Sequence, residues 1–189
     1  VEARKAVPLS EPVKLDQYFL EMGQWSPDSK WFTYEYNQRG HQRYQLCAVD
    51  AKDGKVRVLA DEKSNTFIYY YDLWRYMMPD GKHMLWISER DDWRHLYSID
   101  TETLQMKQLT KGEWNVREIH HVTDDYILMN VNGLHAAEGE DPYNKHVVRL
   151  DLKTLQLKDL TPENANHQVT FNPDFSRFVD NWSRPDLPS

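Results

Sequence analysis

Hydrophobic and polar positions along this chain fall into short alternating runs separated by turn signals. The clearest case spans Met84 to Asp100. Met84–Ser88 is apolar and aromatic, and Glu89–Asp92 is a charged cluster that cannot pack in a core. In Leu96–Asp100 the side chains alternate with the period of two expected of a strand. The stretch therefore predicts strand, polar hairpin, strand. The same pattern recurs on both sides. A first unit predicts strands at 17–25, 31–36, 44–50 and 56–59, with the turn signature Ser26-Pro27-Asp28-Ser29 and a hairpin turn at Asp53-Gly54. A second begins with an aromatic strand region, Thr66–Met78, and turns at Pro79-Asp80-Gly81. It continues through 84–88, 96–100 and 106–109. A third predicts strands at 116–122, 126–131, 146–151 and 157–160, with a longer loop from Gly133 to Asn144. A fourth opens with 168–171, turns at Asn172-Pro173-Asp174 and continues with 177–180. Near the amino terminus, Pro8 confines a short strand at Lys5–Leu9 to a sheet edge.

The register of these units is regular. Asp50, Asp100 and Asp151 each close a third strand, and their spacings are 50 and 51 residues. Leu59, Leu109 and Leu160 close the fourth strands at the same spacings. The Asp residues are expected to accept backbone hydrogen bonds in the turns, and the Leu residues to pack between units. No helical period of useful length appears inside a unit, which excludes a helical solenoid. Four short antiparallel strands repeated at about 50 residues predict an all-β chain, a β-propeller segment of four-stranded antiparallel blades. The blades are expected at about 15–62, 66–111 and 115–162, with a partial blade at 166–189 and an edge strand or linker at 1–14. A propeller must close, because open sheet edges pair with other chains. Three arrangements achieve this: the Lys5–Leu9 strand completing the last blade, a second copy forming a homodimer, or further blades in a longer parent.

Composition changes this picture little. Aromatic residues make up 13% of the 189-residue chain, which favours pleated surfaces. The net charge of -7 argues against nucleic acid as a partner. The single cysteine, Cys47, lies in a strand-like run and is expected to be a buried core residue. No run of about 18 apolar residues predicts a membrane span. Val1 opens a start that is neither an initiator Met nor a signal peptide, as in a segment excised from something longer.

Candidate chemistry is sparse. His120, His121, His135 and His146 invite a metal, but their spacings fit no zinc template. Glu138, Glu140 and Asp141 are expected at a solvated loop tip rather than around calcium. Arg90 and Arg94 are expected to pair at the surface with Asp91 and Asp92. Asn181-Trp182-Ser183 matches a glycosylation acceptor, a pattern frequent by chance. No catalytic, substrate-binding, cofactor-binding or metal-binding residue is assigned.

One resemblance is specific. Trp86-Ile87-Ser88-Glu89-Arg90-Asp91-Asp92-Trp93-Arg94-His95-Leu96-Tyr97 resembles the amino-terminal propeller of the dipeptidyl peptidase IV family. So do Met78-Pro79-Asp80-Gly81-Lys82-His83, Gln108-Leu109-Thr110-Lys111-Gly112-Glu113-Trp114-Asn115-Val116, Leu160-Thr161-Pro162, and the last blade with His167, Phe171-Asn172-Pro173-Asp174-Phe175 and Ser183. The likeness runs from about Leu15 to the carboxy terminus. It implies a propeller capping an α/β-hydrolase domain, in a serine exopeptidase that removes X-Pro or X-Ala dipeptides. This chain would gate and orient peptide substrates, and the hydrolase domain of the parent would be its partner. The resemblance implies a periplasmic or extracellular setting and no cofactor. It also implies an aromatic and an arginine on the substrate pocket, for which Tyr69–Tyr76, with Trp74 and Arg75, is the candidate neighbourhood. The family's paired glutamates have no counterpart, because no Glu-Glu occurs here, and none of the seven glycines builds G-x-S-x-G. The 189 residues alone are therefore expected to be inactive. The bare repeat fits an alternative equally well: a stand-alone propeller that binds a protein or peptide.

Overall fold

The computed structural model describes residues 6–10 and 16–186. Strands β1 (Gln17–Trp25), β2 (Trp31–Gln38), β3 (Arg43–Asp50) and β4 (Val56–Lys63) form one antiparallel sheet in sequence order. β5 (Arg75–Met77), β6 (His83–Ser88), β7 (His95–Asp100) and β8 (Met106–Gln108) form the second. β9 (Asn115–Val122), β10 (Tyr126–Asn132), β11 (Lys145–Asp151) and β12 (Leu157–Asp159) form the third, and β13 (Asn166–Phe171) pairs with β14 (Phe178–Ser183). Each four-stranded meander is the strand plan of a propeller blade.

By compactness the chain falls into two units, residues 1–90 with 97–107, and residues 91–96 with 108–189. The first has Trp31, Tyr44, Leu46, Leu59, Met84, Trp86 and Ile99 at its core. The second buries Val116, Ile127, Met129, Val131, Val147 and Leu150. Nearly all of β6 and the centre of β10 are buried on both faces. That is why their sequences are continuous apolar runs rather than alternating ones. Removal of such side chains from water is the main stabilising term, about 1.5–3 kcal/mol for each large aliphatic residue.

The repeated aspartates do what their spacing predicts. Asp50 Oδ1 accepts from Lys52 N at 2.8 Å. Asp100 Oδ1 accepts from Glu102 N and Thr103 N at 2.9 and 2.8 Å. Asp151 Oδ1 accepts from Lys153 N and Thr154 N at 3.0 and 2.7 Å. These backbone hydrogen bonds, led by those from Thr103 and Thr154, hold the carboxyls of Asp100 and Asp151 below the usual carboxylate range. Four residues on, Gly54, Leu104 and Leu155 each return a backbone N–H to the same aspartate's carbonyl. All three have positive φ, 73°, 62° and 58°. Glycine adopts that conformation freely and leucine does not. Gly54 has a further reason to be glycine, since a Cβ there would lie 2.0 Å from the Pro8 carbonyl oxygen. The repeated leucines differ: Leu59 and Leu109 are buried, whereas Leu160 is half-buried.

Three expectations need correction. The Thr66–Met78 region is not one strand: it forms a 3-10 turn at Tyr70–Asp72 and only a three-residue strand, β5. Three consecutive tyrosines followed by Asp72 place more rings than one pleated face can cover. At the amino terminus, residues 6–9 form no strand, and Lys5 lies outside the described residues. Ser10 instead donates its N–H to the Gly54 carbonyl at 2.9 Å and accepts from Val56 N at 3.0 Å through its hydroxyl. The last sheet contains β13 and β14 alone among the described residues, so residues 6–10 do not complete it.

Leu104→Gly is expected to stabilise the fold by about 0.5–1 kcal/mol by relieving the left-handed backbone. Gly54→Ala is expected to cost more than about 1 kcal/mol. Urea denaturation monitored by tryptophan fluorescence reads both; equal losses in the two variants would contradict this account of the turn.

Candidate functional site

The break in the second sheet creates the most unusual surface of the first unit. Tyr70, on the 3-10 turn, stacks on His41 with ring centres 4.7 Å apart. It contacts Tyr71 at 4.3 Å, Phe19 at 5.5 Å, Tyr18 at 6.0 Å and Phe67 at 6.1 Å. Tyr71 is 75% exposed and Tyr69 55%. A contiguous exposed aromatic cluster of this kind marks a contact surface more often than chance. The hydrogen bond with Tyr71, then burial, push the Tyr70 phenol pKa up, so it stays a neutral hydroxyl.

The first unit also holds a largely buried ion pair. The Glu35 carboxylate, on β2, is held by the Tyr44 hydroxyl and by the Arg75 guanidinium. Burial pushes the Glu35 carboxyl up and the Arg75 guanidinium down, each toward its neutral form. Their direct contact opposes both shifts and keeps the pair charged. Within the candidate neighbourhood, Arg75 pairs with Glu35, and Trp74 stacks on Tyr76 at 6.1 Å.

The motif from Trp86 to Tyr97 has an internal explanation. Glu62, at the end of β4 and 6% exposed, accepts from Trp86 Nε1 at 2.7 Å, Ser88 Oγ at 2.8 Å and Arg90 Nη2 at 2.6 Å. Arg90 also donates through Nε to Ser88 Oγ at 3.0 Å and lies over the Tyr97 ring at 5.3 Å. A carboxylate out of water needs this many donors. The expected pairing of Arg90 with the hairpin aspartates is thus replaced by Glu62. Arg94 is not a surface residue either: it is 6% exposed, and its Nη1 donates to the Arg117 carbonyl at 3.4 Å.

In the second unit, sequence-equivalent residues make a repeated clamp. Thr110 Oγ1 accepts from Leu96 N, and Thr161 Oγ1 from Val147 N, both at 2.9 Å. Asn115 Oδ1 accepts from Arg94 N at 3.0 Å, and Asn166 Oδ1 from Lys145 N at 3.4 Å. His95 and His146 sit between these contacts. His95 Nε2 donates to the Gly112 carbonyl at 2.9 Å, and its Nδ1 accepts from Thr110 Oγ1 at 3.0 Å. His146 Nδ1 donates to the Thr161 carbonyl at 2.7 Å, and Nε2 donates to Glu140 Oε1 at 2.9 Å. The 51-residue spacing of His95 to His146, Thr110 to Thr161 and Asn115 to Asn166 is the sequence signal that would have found this clamp.

His146 also meets a second carboxylate. Asp159 Oδ2 lies 3.3 Å from His146 Nδ1 and 2.9 Å from His135 Nε2. Ligand atoms of His135, His146 and Asp159 lie within 4.8 Å of one another, the one grouping among the described residues with the makings of a metal site. The Thr161 carbonyl decides its character. It faces Nδ1, so that nitrogen carries a proton where a metal would need the lone pair. The group is an imidazolium held between Glu140 and Asp159. Burial pulls the His146 pKa down, but the hydrogen bonds to Asp159 and Glu140 outweigh it and raise the pKa to about 9. Burial raises Asp159, and the bonds from His146 and His135 overcome it and lower the carboxyl to about 2. Glu140 is thus buried beside His146 rather than solvated, while Glu138 and Asp141 stay exposed. His120 and His121 lie apart from this group, against Phe171 at 5.2 Å and stacked on Phe175 at 4.1 Å.

Two outcomes are expected here. Glu62→Ala is expected to cost about 3 kcal/mol, because the Trp86, Ser88 and Arg90 donors lose their acceptor. Chemical denaturation showing a loss below about 0.5 kcal/mol would refute that role. His146, with its raised pKa, stabilises the fold fully below about 6.5 and loses that contribution as pH rises through about 9. Asp159 contributes above about 3.8 and loses its contribution as pH falls through about 2. Stability of the second unit is therefore expected to decline on the order of 2 kcal/mol on the alkaline side. His146→Gln should flatten that decline, and an unchanged slope would exclude the ion cluster as its cause.

Comparison with known proteins agrees with this architecture. The family model "Dipeptidyl peptidase IV (DPP IV) N-terminal region" matches residues 2–189. A solved structure from Bacteroides ovatus, assigned as a dipeptidyl aminopeptidase IV, is similar at a TM-score of 0.70 with 20% identity, over 93% of this chain and 27% of that one. Dipeptidyl peptidase 4 of Porphyromonas gingivalis is similar at a TM-score of 0.71 with 16% identity, over 95% of this chain and 25% of its own. The chain thus spans about a quarter of the length of each of these relatives. With the blade meanders and the Glu62-anchored hairpin on β6 and β7, the match places this chain in the dipeptidyl peptidase IV amino-terminal region family.

Proposed function

We propose that this chain is the non-catalytic, substrate-gating portion of a propeller in a serine-type dipeptidyl peptidase. The parent enzyme would release amino-terminal X-Pro or X-Ala dipeptides. The observation that carries this reading is the exposed aromatic cluster around Tyr70, in a chain of this family. Rigid rings offer a peptide large contact area at little conformational cost, and a proline ring packs well on such faces. The chain supplies no G-x-S-x-G nucleophile, so bond cleavage falls to an α/β-hydrolase domain of the parent. An exported setting, periplasmic or extracellular, belongs to the same proposal.

The test is release of p-nitroaniline from Gly-Pro and Ala-Pro p-nitroanilides. The intact protein is expected to turn both over with sensitivity to serine-directed inhibitors, and the 189-residue chain alone to show none. Tyr70→Ala in the intact protein is expected to raise KM about tenfold with a smaller change in kcat. Absence of release by the intact protein would overturn the peptidase reading in favour of a peptide-binding propeller.

A further inference from the structure

A second groove lies wholly within the second unit, where β9 and β10 face β13 and the turn after it. Its volume is about 640 Å3, inside the 300–1,000 Å3 range of small-molecule sites. Unlike the aromatic cluster, it is polar. Glu118, His120, Asn130, Lys145, Phe171 and Phe175 are among the residues that line it.

Two of these residues carry buried polar atoms with no partner. Asn130 is only 7% exposed, and its Oδ1 is unpaired. Its Nδ2 donates to Glu118 Oε2 at 3.3 Å, which fixes which end of the amide remains free. His120 Nε2 is also buried and unpaired. Its Nδ1 lies 4.0 Å from the Glu118 carboxylate, too far for a hydrogen bond. Buried polar atoms without partners cost about 1–3 kcal/mol each, and native folds keep few of them without a reason. Asn130 Oδ1 is an acceptor, and it stands beside the Glu118 carboxylate. Together they call for an N–H donor that carries a positive charge.

The remaining lining narrows the ligand. Lys145 holds no ion pair among the described residues, so the groove carries one free cation as well as the Glu118 carboxylate. Phe171 and Phe175 give an apolar wall. Phe175 is held at φ 56°, a left-handed conformation that equivalent turns give to Ser29 and Gly81. A bulky residue there is strained, and its ring stacks on His121 at 4.1 Å.

We propose that this groove binds a short zwitterionic peptide, a free dipeptide. Its ammonium sits between Glu118 and Asn130 Oδ1, its carboxylate at Lys145, and its side chains against Phe171 and Phe175. The binding claim stands on the groove itself. It rests on the reading above only in that such a dipeptide would be the parent enzyme's product.

The experiment is calorimetric titration of the intact protein with Ala-Pro, N-acetyl-Ala-Pro and Ala-Pro amide. Ala-Pro is expected to saturate a site that N-acetylation weakens at least about tenfold, through loss of the charged donor. The amide is expected to bind several-fold more weakly than the acid. In Lys145→Gln that difference should vanish, because the variant no longer distinguishes acid from amide. Asn130→Leu, which removes the free amide oxygen, should lose about tenfold in affinity. A dipeptide site elsewhere in the parent would keep its heat in every variant, so these substitutions isolate the groove. The readout is binding, so it stands whether or not the parent cleaves X-Pro substrates. No saturable Ala-Pro binding, or binding unchanged in both Lys145→Gln and Asn130→Leu, would overturn the proposal and leave the groove as a water-filled cleft.

Discussion

The constraint on which the blades depend is the pairing of backbone N–H groups where one strand outruns its neighbour. β7 and β11 have six and seven residues, but β8 and β12 have only three each. The first N–H groups of β7 and β11 therefore lie beyond the end of the outer strand. An unpaired buried donor costs about as much as a lost hydrogen bond. Thr110 and Thr161 fill one such gap with a hydroxyl, and Asn115 and Asn166 fill the next with an amide oxygen. The first sheet shows the alternative. There β4 has eight residues and pairs along β3 as far as Arg43 with Lys63. The backbone ladder does the work, and Ala60 stands where the other blades carry threonine.

This constraint also shapes the electrostatics. Once Thr161 and Asn166 fix the start of β11, His146 is carried into the interior with 1% of its side chain exposed. An imidazole there must donate or accept at both nitrogens. His95 meets the requirement with a carbonyl and a hydroxyl. His146 meets it with a carbonyl and the Glu140 carboxylate, beside Asp159, and is driven to the charged form. The same position in two blades thus meets different partners, and the difference comes from Asp159 and from the long loop that brings Glu140 in.

What was legible in the sequence follows from range. Strand alternation, the Asp turns and the 50-residue register are set by neighbours within one hairpin, so Asp50, Asp100 and Asp151 could be placed by counting. The resemblance around Ser88 and Arg90 was visible, but its cause was not: Glu62 lies 26 residues from Ser88 and 28 from Arg90. Asp159 lies 24 residues from His135. No spacing rule for a local zinc motif reaches that far, and His120 and His121, adjacent in sequence, go elsewhere. In Tyr69–Tyr76, β propensity hid the 3-10 turn at Tyr70–Asp72.

The two surfaces with unusual chemistry share a feature that bears on how function is built into a repeat. Each sits where one blade departs from the pattern of the others. Tyr70 lies where the first strand of the second blade is broken and cut to three residues. Phe175 occupies a turn position that accommodates Ser29 and Gly81 without a bulky ring. A repeat in which every position served packing would keep the full strand and the small turn residue, because both are cheaper locally. The departures cost stability where they occur, and the surrounding ladder of paired strands tolerates that cost. What they gain is exposed ring area in one place and a walled polar groove in the other, which a regular blade does not present.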